Sequence, residues 1–194
     1  MSIELRPATI EDIPHLSRVY QMAAGGLLDA VCHDLIPGKS VPEILERRFV
    51  PENSGFSYRN CAVALADTRI AGGINMRVAG DPRFDWTDPI VPEERKTVYA
   101  PFQHIEATEG LYIGFVGVYP QFRRRGIGRQ LLALARQEAE AKKLASMCLY
   151  VFEQNVEAVT LYRSLGFEIS KRSPAVAHEL VLYSGDLTLM TCRL

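Results

Sequence analysis

The sequence predicts an α/β (α+β) fold, a mixed, mostly antiparallel sheet flanked by helices. Three observations carry that expectation. Residues 111–119, Leu-Tyr-Ile-Gly-Phe-Val-Gly-Val-Tyr, are apolar and rich in β-branched and aromatic side chains, and Pro120 stops the run. Such a run suits a strand covered on both faces. A helical period follows it. Ile127, Leu131, Leu132, Leu134, Ala135 and Ala139 fall on one stripe, with Arg129, Gln130, Arg136, Gln137 and Glu140 opposite. Residues 146–151 then read as a strand again, and a helix carrying the chain back makes it parallel to the first. A hairpin over residues 60–78 and strands near the C-terminal end supply the antiparallel remainder.

In chain order, residues 3–6 alternate apolar and charged and read as a first strand. Thr9-Ile10-Glu11-Asp12 has the pattern of a capping box, with Thr9 as N-cap. The helix it opens carries Ile13, Leu16, Val19, Tyr20 and Ala23 inward, and Pro14 is early enough to be tolerated. Gly25-Gly26 interrupts it, residues 27–35 continue the stripe, and Pro42 opens a short helix reaching about Phe49. In the hairpin, Ala71-Gly72-Gly73 predicts a bulge or a close backbone approach. Residues 80–109 are irregular, with Pro82, Pro89, Pro92 and Pro101 set among Phe84, Trp86, Tyr99 and Phe102. A short helix is expected from Glu93 to about Ala100. An insertion of this length is a lid or binding loop, or its aromatics pack a satellite cluster; composition does not separate the two. Asn155 caps a helix over residues 156–165, and Gly166 ends it. Residues 167–171 and 187–193 are the last strands, with another expected over 178–183.

Between the central strand and its helix lies Gln121-Phe122-Arg123-Arg124-Arg125-Gly126-Ile127-Gly128-Arg129. A glycine-bearing loop opening a helix leaves backbone N–H groups without intrahelical partners, and the helix dipole adds positive charge there. Gly126 and Gly128 let a phosphate approach the backbone closely. Arg129-Gln130 after Gly128 exclude a P-loop, which needs Lys-Ser/Thr. A dinucleotide fingerprint would need a third glycine where Leu131 stands.

Composition narrows the partners. The 194 residues suffice for one substantial core, so one domain over 1–194 is expected. A net charge of −1 gives no footprint for a nucleic-acid or membrane-surface role, and a bound polyphosphate accounts for the local Arg123-Arg124-Arg125 run. No apolar run is long enough to span a membrane, and residues 1–6 lack a signal-peptide pattern. Cys32, Cys61, Cys148 and Cys192 are scattered without a Cys-x-x-Cys pair, which points to a reducing cytoplasm. The four histidines show no ligand spacing, so no metal is expected.

The stretch from Val118 to Leu132, with Arg123, Gly126 and Gly128 in an Arg/Gln-x-x-Gly-x-Gly/Ala pattern, resembles the acetyl-CoA signature of the GNAT superfamily of N-acetyltransferases. Asn155, Ala158, Leu161-Tyr162 and Leu165-Gly166-Phe167 resemble its second segment, in the right order and spacing. The resemblance implies that the two parallel strands splay apart and that the pantetheine arm of acetyl-CoA lies between them. Val116, Gly117 and Val118 would then bond the arm, and the loop amides of Arg124, Arg125, Gly126, Ile127, Gly128 and Arg129 would hold the pyrophosphate. Gly117 could equally be packing against a helix. It further implies acetyl transfer from acetyl-CoA to a primary amine, a small molecule rather than a protein, by an enzyme that is commonly dimeric.

A general-base Glu is common in the family's central strand, but Tyr112 stands at the matching position here. Glu109 and Glu106 are the nearest carboxylates in sequence, and proton removal through a water chain is equally open. Tyr162 is the expected general acid. Asn155, Ala158 and Tyr162 share one helix face, which aims Tyr162 along the same ligand as Asn155. A phenol of pKa about 10 stays protonated while a thiolate of pKa about 8.5 leaves. On general acid catalysis alone, Tyr162→Phe would lower kcat by roughly 10²–10⁴-fold. The rival from another class is a catalytically silent acyl-CoA-binding module, which would need the loop but not Tyr162. The acceptor is not legible in the sequence.

Overall fold

The computed structural model describes residues 2–80 and 90–194. Among them, seven strands form one sheet: β1 (Ile3–Pro7), β2 (Cys61–Ala66), β3 (Arg69–Val78), β4 (Leu111–Val118), β5 (Ser146–Phe152), β6 (Glu168–Pro174) and β7 (Asp186–Arg193). Their order across the sheet is β1-β2-β3-β4-β5-β7-β6. Every neighbouring pair is antiparallel except β4 and β5, which run parallel as the intervening helix requires. The expected mixed, mostly antiparallel sheet is the one observed.

Helices cover both faces. On one side lie α1 (Ile13–Ala23), α2 (Leu27–Cys32) and α3 (Val41–Glu46), together with α4 (Glu93–Lys96) and α5 (Ala100–His104) from the irregular stretch. On the other lie α6 (Ile127–Ala141) and α7 (Val156–Arg163). The capping box at Thr9 forms, although a short 3-10 turn over Ile10–Asp12 precedes α1 proper. Asp12, 3% exposed, fixes this corner. It takes the Thr9 amide at 2.8 Å and two Arg6 nitrogens at 2.6 and 2.9 Å. Ile13, Leu16, Val19 and Tyr20 then face inward, each burial contributing about 1.5–3 kcal/mol. Along β4 the alternation divides the strand between the two cores: Tyr112 and Phe115 pack with the α1 side, Leu111 and Ile113 with the α6 side.

The expected bulge in β3 falls at Ala71, which the ladder to β2 passes over between Ile70 and Gly72. The close approach is real as well: a Cβ on Gly72 would lie 2.3 Å from the Gly117 carbonyl oxygen. A second bulge, not anticipated, lies in β4. Asn75 pairs with Phe115 and Met76 with Ile113, so Gly114 is the extra residue, and a Cβ there would come within 2.4 Å of Asn75 Oδ1.

The strand expected over residues 178–183 does not form. β7 is already paired on both edges, by β5 and β6, and the segment spends its hydrogen bonds elsewhere. The Leu182 amide donates to the Gly25 carbonyl at 3.0 Å, at the α1–α2 junction. Gly26, with φ +87°, lies so close beneath this loop that a Cβ would sit 1.9 Å from the Leu180 oxygen. Of the irregular stretch, Phe84 and Trp86 lie outside the described residues. The helix expected from Glu93 is two short helices joined by a 3-10 turn over Thr97–Tyr99.

Candidate active site

The parallel ladder between β4 and β5 is three pairs long, Leu111↔Met147, Tyr112↔Cys148 and Ile113↔Leu149. Beyond the Gly114 bulge the strands part. β4 stays paired to β3 as far as Val118, but its β5 side has no strand partner. Its outward N–H and C=O groups are thus left for something else to satisfy. A cavity of about 1050 Å³ fills the opening, lined at this edge by Val116, Gly117 and Val118. Gly117 serves helix packing, since a Cβ there would meet Val19 Cγ1 at 2.8 Å. Without that glycine β4 could not lie this close to α1.

The cavity continues to the start of α6. Phe122 is buried at the end of a 3-10 turn and anchors the loop. Arg124 and Gly126 both take left-handed backbone, φ +61° and +78°, and Gly126 is the N-cap of α6. The first amide to reach a helical carbonyl is that of Gln130, 3.0 Å from the Gly126 oxygen. Among the described residues the amides of Arg124 and of Gly126, Ile127, Gly128 and Arg129 therefore have no backbone acceptor. A Cβ built on Gly126 would meet nothing within 4 Å. An open, glycine-capped helix start with unspent donors is a cradle for phosphate oxygens.

The arginines divide their work. Arg123 is a strut: its Nε donates to the Val118 carbonyl at 3.1 Å, and Nη2 lies 3.6 Å from Met22 Sδ. Arg129 reaches Ser164 Oγ at 2.8 Å, tying α6 to α7. Arg123, Arg124 and Arg129 line the cavity; Arg125 does not, and lies over the Phe122 ring instead. Ile127 and Gly128 line it too, and a Cβ on Gly128 would make an ordinary 3.4 Å contact with Leu161.

From α7, Asn155, Ala158 and Tyr162 face the cavity together. Asn155 caps the helix, its Oδ1 accepting the Ala158 amide at 3.3 Å, which leaves Nδ2 available. Tyr162 is 8% exposed, with its ring 5.9 Å from that of Phe167. Its hydroxyl has no hydrogen-bond partner among the described residues, and burial pushes the phenol up to about 12. Glu109 and Glu106 are exposed, and neither lines the cavity. Tyr112 does line it, buried, with desolvation raising its phenol far above the ordinary value.

Sequence reasoning did not find the far end of the cavity, which is aromatic. Tyr150 stands at its centre, 4.9 Å edge-on to Phe102 and 5.6 Å from Tyr112. The Tyr150 hydroxyl accepts the Ala107 amide at 2.9 Å and donates to the Ile105 carbonyl at 3.2 Å, so it pins the chain leaving α5. Tyr99 and Phe102 both pack as a cluster and line the cavity, joining the two roles that composition left open. Tyr183, from the loop seated on Gly25, closes over Phe152 at 5.3 Å. A signal was present: Tyr150 and Phe152, two apart on one strand, must share a face.

The sheet thus opens at its parallel pair, beside a glycine-capped helix start. The model of the acetyltransferase (GNAT) family matches residues 28–167, and the chain belongs to that family. It is 27% identical over 194 residues to the L-methionine sulfoximine/L-methionine sulfone acetyltransferase of Pseudomonas aeruginosa, covering all of this chain and 96% of that one. The fold is similar to that of an N-acetyltransferase from Staphylococcus aureus Mu50, with TM-score 0.72 and 21% identity over 97% of this chain and 99% of the other. It is also similar to the PaiA N-acetyltransferase of Thermoplasma acidophilum, solved in complex with coenzyme A, with TM-score 0.59 and 17% identity over the whole of both chains. Among the described residues, no three His, Cys, Asp or Glu side chains form a group that could hold a metal ion, and no helix is long and apolar enough to cross a membrane.

Proposed function

We propose that this chain is an acetyl-CoA-dependent N-acetyltransferase that moves an acetyl group directly to the primary amine of a small molecule. One observation carries the reading: the β4 edge from Val116 to Val118, which has no strand partner on the β5 side, the start of α6 at Gly126–Arg129, and Tyr162 all line one cavity. Acetyl-CoA supplies the activated thioester. The amides of residues 124–129 hold its pyrophosphate, with Arg124 and Arg129 alongside. The edge from Val116 to Val118 bonds the pantetheine arm on one side and Asn155 Nδ2 on the other, and the open strand orients the carbonyl.

The neutral amine attacks from the α1 side, so that the C–N bond forms as the C–S bond breaks. The departing sulfur takes its proton from Tyr162. The proton lost by nitrogen leaves through water and restores the phenol. Glu109, exposed and away from the cavity, is the weaker route for that proton. A concave, largely apolar cavity that must also hold the cofactor arm suits a small acceptor better than a protein terminus. The same reading has one domain over residues 1–194 in a reducing cytoplasm, where the four buried cysteines stay free thiols, with a homodimer as the assembly to test.

Free-thiol release from acetyl-CoA across a panel of primary amines tests the proposal, with calorimetric CoA binding as its companion. Amine-dependent thiol release with stoichiometric acetamide formation supports it. CoA binding without turnover of any amine would return the chain to a silent acyl-CoA-binding module, and no CoA binding would defeat both.

A further inference from the structure

Resting on that reading, we infer that Tyr20 holds the incoming amine, its phenol oxygen accepting the N–H that the acceptor keeps while the other N–H is given up. Tyr20 reads as a core residue in the sequence, on the inner stripe of α1, and most of it is core. Its ring stacks on Phe115 at 5.2 Å, lies 5.0 Å from Phe56 and meets Phe49 edge-on at 6.2 Å. These contacts fix where the hydroxyl points. Only 8% of the residue is exposed, yet the hydroxyl has no hydrogen-bond partner among the described residues. Nor is its oxygen one of the sealed side-chain atoms without a partner, so it opens onto the cavity that Tyr20 lines. A phenol this deep ordinarily finds a partner, and the cavity is where one can arrive.

Position names that partner. Phe115 is the first β4 residue past the Gly114 bulge, and the ladder to β5 ends at Ile113. Tyr20 therefore stands at the parting of the strands on the α1 face, while Tyr162 belongs to the core of the α6 face. The two hydroxyls reach one cavity from opposite faces of the sheet. With Tyr162 given to the departing sulfur, Tyr20 is on the side from which the amine attacks. The nitrogen is the one group that every acceptor must bring to this place. Burial pushes the Tyr20 phenol up, so it stays neutral and its oxygen keeps lone pairs for an N–H donor. A neutral primary amine has two such hydrogens. As the C–N bond forms and the C–S bond breaks, one leaves through water and the other stays on the amide nitrogen. Tyr20 holds the one that stays, which aims the lone pair at the carbonyl. A secondary amine has a single N–H and must surrender it, so the contact favours primary amines.

The test compares wild type with Tyr20→Phe, which keeps the ring contacts and removes only the hydroxyl. Initial rates with acetyl-CoA are taken for L-methionine sulfone, 2-phenylethylamine and agmatine, and for the N-methyl derivative of whichever turns over fastest. The variant should lose about 2- to 12-fold in kcat/KM for that primary amine, the range a net hydrogen bond supplies. The N-methyl amine should change by less than about twofold, so the primary-to-secondary ratio shrinks, with KM for acetyl-CoA unchanged and the melting temperature within about 2 °C of wild type. An equal loss for both amines, a primary-amine kcat/KM within about twofold of wild type, a raised KM for acetyl-CoA or a larger drop in melting temperature overturns the inference and leaves the acetyltransferase reading intact. Where neither enzyme turns over the N-methyl amine, the other three readouts decide. Bound CoA with no transfer to any primary amine overturns both.

Discussion

Replacing Tyr162 by Phe isolates one hydroxyl. The ring is buried against Phe167, and the hydroxyl has no described partner, so removing it leaves packing intact and orphans nothing. Stability should change by less than about 0.5 kcal/mol. The effect on rate can be bounded. With the phenol held at about 12 and an ordinary thiol at about 8.5, complete proton transfer before the C–S bond breaks would be uphill by roughly 5 kcal/mol. The same buried setting also disfavours a thiolate, which narrows the gap. Tyr162 therefore acts chiefly by donating a strong hydrogen bond to sulfur as charge builds there. A hydrogen bond to a charged group contributes about 1.5–3 kcal/mol, so kcat should fall about 10- to 150-fold, at the low end of what full general acid catalysis would give. Single-turnover acetyl transfer under saturating substrates reads this step directly, with CoA affinity measured by calorimetry. A Phe variant within threefold of wild type would refute the role, as would a variant whose rate loss tracks weakened CoA binding.

Three further outcomes follow from the geometry. Gly128→Ala places a Cβ in ordinary contact with Leu161 and should raise helix stability by about 0.5–1 kcal/mol, yet it should weaken CoA binding; a thermal melt paired with calorimetry separates the two effects, and unchanged affinity counts against phosphate at this turn. Tyr150→Phe removes the bonds to Ala107 and Ile105 and should cost about 1–3 kcal/mol in urea unfolding while raising KM for the amine, because the wall carrying Phe102 loosens. For Asp12, burial alone would raise the carboxyl, but the Arg6 guanidinium and the Thr9 amide outweigh it and hold it below the usual range. Its folded value lies below the unfolded one, so its contribution is full above about pH 4 and lost as pH falls through the folded value. Asp12→Asn should thus cost about 1.5–3 kcal/mol at pH 7, and its melting temperature should converge on that of wild type below pH 4; a constant gap down to pH 2 would exclude the linkage.

The long apolar run, the helix stripe and the glycine loop were legible because each rests on local rules: β-branched content, a 3.6-residue period and the chemistry of a helix start. Element order then made β4 and β5 parallel. The Gly114 bulge was not legible, because a glycine within an apolar strand does not reveal which partner residue is skipped. The segment over residues 178–183 failed for a similar reason. Its composition suits a strand, but the contest between β6 and the α1–α2 junction is settled by tertiary contacts at Gly25 and Gly26. The aromatic chamber was missed because it gathers Phe56, Phe102, Tyr112 and Tyr150 from distant parts of the chain, and no local pattern brings them together.

The parting of β4 from β5 has a further consequence. It creates two free edges in the middle of a sheet, the kind of surface that recruits strands from other chains and seeds aggregation. The usual protections, a lysine pointing inward or a proline in the strand, would also repel or block the arm this edge is proposed to bind. Here protection comes from depth instead. Gly117 holds β4 against α1 behind, while α7 and the start of α6 narrow the approach in front. The β-alanine and cysteamine part of a pantetheine arm carries no side chains, so it needs less room in such a slot than a peptide with side chains on both faces, and depth can guard the edge while its backbone groups stay available.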